Sequence, residues 1–140
     1  MSSIHGQAPE TDRRMEVIEK TRDMILKDFQ VEGEDDVSVI LRHKGFFLQV
    51  LFSRVHPLII IYLAKSLEEK MVEDYSVIND INGDSFMGSH SINRKAGCYA
   101  FRSTHWLEAP MQPDRFREIL TRCSVEAADA HQKVLEACCK

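Results

Sequence analysis

Apolar residues recur along the chain with two periods, near 3.6 and near 2, and the switches between them mark out its elements. Met15, Ile18, Ile25, Leu26 and Phe29 fall on one face at helical spacing, while Arg13, Arg14, Glu19, Lys20, Arg22 and Lys27 fill the rest. Arg22 interrupts the stripe, although its aliphatic stem can still cover apolar surface. Thr11 or Asp12 can cap this first helix by accepting hydrogen bonds from its exposed amides. The polar stretch 1–10 ahead of it reads as a flexible arm. Glu32 to Asp36 is an acidic turn without the alternating oxygen ligands and closing glutamate of an EF-hand, so it reads as a solvated connector.

Three strands follow, Val37 to Arg42, Phe46 to Phe52 and Leu58 to Ala64, turned by His43-Lys44-Gly45 and by residues 53–57. The first alternates, with Val37, Val39 and Leu41 on one face, whereas the next two are apolar on both faces. Their short connections imply an antiparallel meander. Glu68 to Gly83 then returns to helical spacing through Met71, Tyr75, Ile78 and Asn82, with Val72 and Asn79 beside them. Gly83 suits the left-handed closure of such a helix, whose expected work is to lock the two halves of the sheet together. Asp84 to Ser91 enters a fourth strand at Ile92, and Cys98 to Trp106 is a fifth, with Tyr99 and Phe101 on alternate positions. After Pro110, a last helix opens at Pro113 or Asp114 and carries Phe116, Ile119, Leu120 and Cys123. It continues through Ala127, Ala130, Val134 and Leu135, with a possible break near Ser124. The expected architecture is one α+β domain over 11–140, an antiparallel five-stranded sheet in the order α-β-β-β-α-β-β-α, helices mainly on one face.

Strands apolar on both sides need both sides covered, and one helical layer covers only one. Each large apolar side chain left in water forfeits about 1.5–3 kcal/mol. A row of them on one face therefore marks an interface. Phe47, Leu51, Ile59 and Ile61 are the candidates for this second face. The break between the third and fourth strands would also free an edge for a partner segment. A homodimer or a protein partner of unassigned identity is the implied occupant.

Composition narrows the alternatives. The 140 residues carry a net charge of −4, and the pI near 5.8 argues against nucleic-acid binding. No apolar run is long enough to span a bilayer, and the N-terminus lacks the build of a signal peptide, so a cytoplasmic protein without membrane attachment is expected. Cys98, Cys123, Cys138 and Cys139 then default to reduced thiols. The six histidines show no zinc-ligand spacing, and Ser89 lacks a nucleophile elbow. Residues 83–88 lack the ending of a phosphate loop. No catalytic constellation, metal or cofactor is expected. The alternative class, a small-ligand binder or minor enzyme, would use a pocket near His90, Cys98 and His105. Asn79 and Asn82 read either as an exposed amide pair for a ligand or, on hydrogen-bond grounds, as side chains fixed to nearby backbone.

The element order, with Val77-Ile78-Asn79-Asp80-Ile81-Asn82 leading into Ser85-Phe86-Met87-Gly88, resembles the YbjN family of bacterial sensory transduction regulators. The Tyr99-to-Phe101 strand and Phe116-Arg117-Glu118-Ile119-Leu120 belong to the same resemblance. It marks Asn79, Asn82, Gly83 and Gly88 as a structural motif and implies no active site. It also implies a fold like that of type III secretion chaperones, small acidic dimers that hold extended partner segments. The expected function is thus a non-enzymatic, chaperone-like or regulatory interaction module.

Overall fold

The computed structural model describes residues 2–68 and 76–138, with side chains described over 13–68 and 76–137. Met71, Val72 and Tyr75 of the expected central helix, the Cys138 side chain and Cys139 lie outside them. Helix α1 (Ser2–Asp28) leads into strands β1 (Gly33–Glu34), β2 (Ser38–His43), β3 (Phe46–Phe52) and β4 (Leu58–Ser66). Helix α2 (Ser76–Gly83), strands β5 (Ser89–Asn93) and β6 (Cys98–Trp106), and helix α3 (Pro113–Cys138) follow. The backbone of α1 takes in the stretch where an arm is expected. No helix among the described residues is long and apolar enough to cross a membrane.

The sheet has six antiparallel strands, in the order β1-β2-β3-β4-β6-β5, rather than five. The extra one comes from the acidic turn, which is built rather than merely solvated. Glu32 N–H donates to Ile40 O (2.8 Å), and Asp35 Oδ1 accepts from the amides of Val37 and Ser38 (2.8 Å each). Arg22 reaches across from α1 to donate to Glu34 Oε2 (3.0 Å) and to the Asp35 and Asp36 carbonyls. The arginine that interrupts the helical stripe therefore holds the edge hairpin. At the β2–β3 turn, Lys44 (φ 50°) and Gly45 (φ 84°) supply the left-handed pair that a tight hairpin requires.

The expected free edge beside β4 does not exist. β6 pairs with β4 along its whole length, from Leu58↔Trp106 to Ser66↔Cys98. The apolar Tyr99-Ala100-Phe101 run suits an interior strand, and the polar alternation of Ser89 and Ser91 suits the outer one. That ladder joins the two halves of the sheet.

Register also decides which side chains face the helices. Val50↔Ile61 and Phe52↔Ile59 place Ile59 and Ile61 beside Phe46, Leu48, Val50 and Phe52 in the core, each isoleucine fully buried. They are therefore not on the second face. Within an all-apolar strand, alternation cannot choose the inward set; only the cross-strand pairing does. Against this face lie Ile18 and Ile25 of α1, and Phe116, Ile119, Leu120, Cys123, Ala127, Ala130 and Val134 of α3. Phe29 meets Phe116 edge to face at 4.9 Å. Helix α3 runs without a break through Ser124, whose buried hydroxyl donates to Thr121 O (2.9 Å) within the helix.

Helix α2 docks through Ile78 and Ile81 and through one amide. Asn82 Nδ2 donates to His90 O (2.9 Å), and His90 N–H donates to Asn82 Oδ1 (2.7 Å). The side chain thus does for β5 what another strand would do. Asn79, one turn back, is exposed. Gly83 ends α2 without a left-handed φ; Asp84 N–H bonds Ile81 O (3.1 Å) and Ser85 N–H bonds Asn82 O (3.3 Å) to close the helix. Gly88 is needed for close approach, since a Cβ there would collide with the Arg102 carbonyl and the Phe101 ring. Asn82→Ala leaves both His90 backbone groups without these partners and should cost about 1–3 kcal/mol in chemical denaturation. An unchanged unfolding midpoint would show that the amide does not hold α2 in place.

Candidate functional site

Among the described residues, the side of the sheet away from the helices is open. Its larger members are Ile40 and Arg42 on β2, and Phe47, Gln49 and Leu51 on β3. Leu58, Ile60 and Tyr62 on β4, and Arg102, Thr104 and Trp106 on β6, complete it. Phe47, Leu51, Ile60 and Tyr62 are half-buried by their neighbours along and across the strands, and none belongs to the core cluster or packs against it. Trp106 is 65% exposed, with the His56 imidazole 5.6 Å away. Cys98, Ala64 and Ala100 share this face, and their small side chains are sheltered between larger neighbours. Of the four residues expected here, Phe47 and Leu51 lie on the face. Ile60 and Tyr62 take the places assigned to Ile59 and Ile61, a displacement of one residue. Trp106 and Arg102 were not among the expected residues. Alternation gave no signal for them, because Arg102-Ser103-Thr104-His105 is polar at every position; the pairing with β4 places the even-numbered positions of β6 on the open side.

The residues of the alternative site do not come together. His90 and His105 face the helices at separate points of the sheet, opposite Phe101 and Ile59 respectively, whereas Cys98 lies on the open face beside Tyr62. Burial raises the Cys98 thiol, which keeps it protonated rather than nucleophilic. His105 Nε2 meets Ser103 Oγ (2.8 Å), whose hydroxyl donates to Met87 O (2.7 Å). Among the described residues, no group of three His, Cys, Asp or Glu side chains is placed to hold a metal ion.

His90 instead centres a buried polar network. Its Nδ1 lies 2.6 Å from Tyr99 Oη and its Nε2 lies 3.2 Å from Ser85 Oγ. Burial, then the Glu126 charge, hold the Tyr99 phenol far above its ordinary range, so it donates and Nδ1 accepts. Nε2 then carries the proton toward Ser85, whose hydroxyl lies 2.6 Å from Gly88 O and 3.0 Å from Glu126 Oε1. Glu126 Oε1 also accepts from Phe86 N–H (3.1 Å), tying α3 to the loop ahead of β5. Glu126 Oε2 is buried without a hydrogen-bond partner, 4.0 Å from His90 Nε2, beside a cavity of about 180 Å³. Asp84, Asp129 and Lys133 also line that cavity. Burial depresses the His90 pKa; Glu126 opposes the effect and Lys133 adds to it. Each hydroxyl and ring nitrogen is committed to a fixed bond, so the network joins loop, strand and helix.

No family model matches the chain, and no curated protein matches it. Among solved structures, the chain is similar to YbjN from E. coli, described as a candidate transcription regulator. The TM-score is 0.58 at 10% identity, covering 86% of this chain and 90% of that one. At that identity the likeness establishes a shared fold.

The histidines set the acid behaviour of the fold. His43, His90, His105 and His131 are all shifted below the ordinary 6.5 by burial. The unfolded chain therefore takes up protons at a higher pH than the folded one. The stabilisation is complete above about 6.5 and is lost as pH falls below it toward the folded values. The melting temperature should fall between about pH 7.5 and pH 5.5, and His90→Gln should flatten that slope. A melting temperature independent of pH over this window would contradict neutral, buried imidazoles.

Proposed function

We propose that this chain is a non-enzymatic protein-interaction module, chaperone-like or regulatory, working in the cytoplasm and docking its partner on the open sheet face. One observation carries the reading. Phe47, Leu51, Ile60 and Tyr62 form a contiguous surface outside the core, ending in a tryptophan that is 65% exposed. Large apolar side chains gathered on a single face contribute little to the monomer and much to an interface. The fold shared with YbjN, described as a candidate transcription regulator, is compatible with a regulatory role. A second copy of the chain is an alternative occupant of the same face.

A narrower reading, small-ligand binding, retains the cavity beside Glu126 Oε2, where one buried carboxylate oxygen has no partner. A ligand-screen melting assay tests it, and a shift abolished by Glu126→Gln would favour it.

For the interaction reading, the discriminating variant is Leu51→Thr with Ile60→Thr, which keeps strand propensity while removing apolar area. Its melting temperature should stay close to that of the parent, because neither side chain packs on the core. Its capture of partner proteins, or its dimeric mass in light scattering, should drop. Unaltered capture and unaltered mass would remove the face from consideration as a docking surface.

A further inference from the structure

The charges of this chain are segregated by layer. No aspartate or glutamate occurs between Asp36 and Glu68, or between Asp84 and Glu108, so all 22 acidic residues lie outside these two stretches. The first stretch holds four arginines and lysines and the second holds three. They contain β2 to β6 and their hairpin turns. The net charge of −4 is therefore the sum of a cationic sheet and a more strongly anionic set of helices and connectors.

On the open face itself two cations project, Arg42 and Arg102. Arg42 is paired at its edge with Glu32 (3.2 Å). Arg102 is exposed, opposite Tyr62 on one side and Ser89 on the other, and among the described residues no carboxylate or hydrogen-bond acceptor engages its guanidinium. A guanidinium beside an apolar surface is well suited to a carboxylate delivered by a segment that also buries apolar side chains.

We propose that the partner of the open face is an acidic, apolar polypeptide segment, with a carboxylate on Arg102 and apolar side chains against Phe47, Leu51, Ile60 and Trp106. This rests on the reading that the face docks a partner, and it names that partner's chemistry. Face-to-face pairing of two copies would meet each Arg102 with a surface whose carboxylate, Glu32, is already engaged by Arg42, which disfavours a second copy. A single-stranded nucleic acid would bring phosphate to Arg102 and bases to Tyr62 and Trp106. It would leave the aliphatic surface of Leu51, Leu58 and Ile60 without matching apolar groups, so a polypeptide fits better.

Trp106 is the chain's single tryptophan, so its emission reports occupancy of the face directly. The test selects a random displayed-peptide library on the intact protein and on the exposed-site variant Arg102→Glu. Binding of the selected peptides and of a single-stranded oligothymidine is then followed through Trp106 emission. Peptides selected on the parent should combine Asp or Glu with large apolar residues, shift the emission to the blue, and bind the variant about tenfold or more weakly. The variant should select Lys or Arg in place of the acids. Selected peptides that shift Trp106 without acidic bias, or equally in the variant, would overturn the charge assignment while leaving the docking face intact. Failure of any peptide to enrich and shift Trp106 would overturn the docking reading itself. Tighter binding by the oligothymidine would overturn the polypeptide class. A parent dimer in light scattering that Leu51→Thr with Ile60→Thr dissociates would assign the face to a second copy.

Discussion

The ladder between β4 and β6 is the interaction on which the rest of this structure depends. The chain leaves the sheet at Ser66, passes through α2 and β5, and returns to pair β6 with the strand it left. That pairing puts the most apolar late segment in the interior and sends the short, polar β5 to the rim. The register of β3 with β4 in turn fixes which of the two apolar sets on β4 enters the core. Once Ile59 and Ile61 are inside, Ile60 and Tyr62 must be outside, and the open face follows.

The rim position of β5 creates a second requirement, because an outer strand has backbone groups with no neighbouring strand to meet them. Asn82 meets it at His90 by supplying one donor and one acceptor from the end of α2. The opposite rim is managed differently. β1 is only two residues long and is backed by Arg22, which gathers Glu34 and two carbonyls. Neither rim offers a long bare edge, so the extended surface left for contact is the face rather than the border. This is why the interaction reading moves from an edge to a face.

Under the sheet's helical side, the polar atoms do structural work. Tyr99, His90, Ser85 and Glu126 connect β6, β5, the loop before it and α3 through one chain of bonds. The network is conditional, since it depends on an uncharged imidazole in a site that penalises charge. Gly88 supports it from below by letting the loop lie directly on the Arg102 carbonyl. The same strand that carries Tyr99 inward carries Arg102 and Trp106 outward, so the polar interior and the apolar exterior are the two sides of β6.

The sequence by itself determined the element types, the meander, the amphipathic outer helices and the presence of a surplus apolar face, because those depend on local period and on the count of apolar positions. It also pointed to Asn82 and Gly88, an amide and a glycine placed where nearby backbone would need them. It did not determine the sixth strand, since Gly33 and Glu34 carry no strand pattern and pair only because Arg22 and Asp35 fold the turn back on Ile40. Nor did it determine which of Ile59, Ile60 and Ile61 faces outward, because three identical side chains contain no alternation. That Cys98 and His105 would part was legible, since positions seven apart on one strand face opposite sides, but where His90 would fall was not, because strand order and register are settled between segments distant in the chain. Only pairing between strands decided those points: β1 with β2, β3 with β4, and β5 with β6. The β4–β6 ladder that sets the strand order forms across 31 or more intervening residues, where no local periodicity reaches.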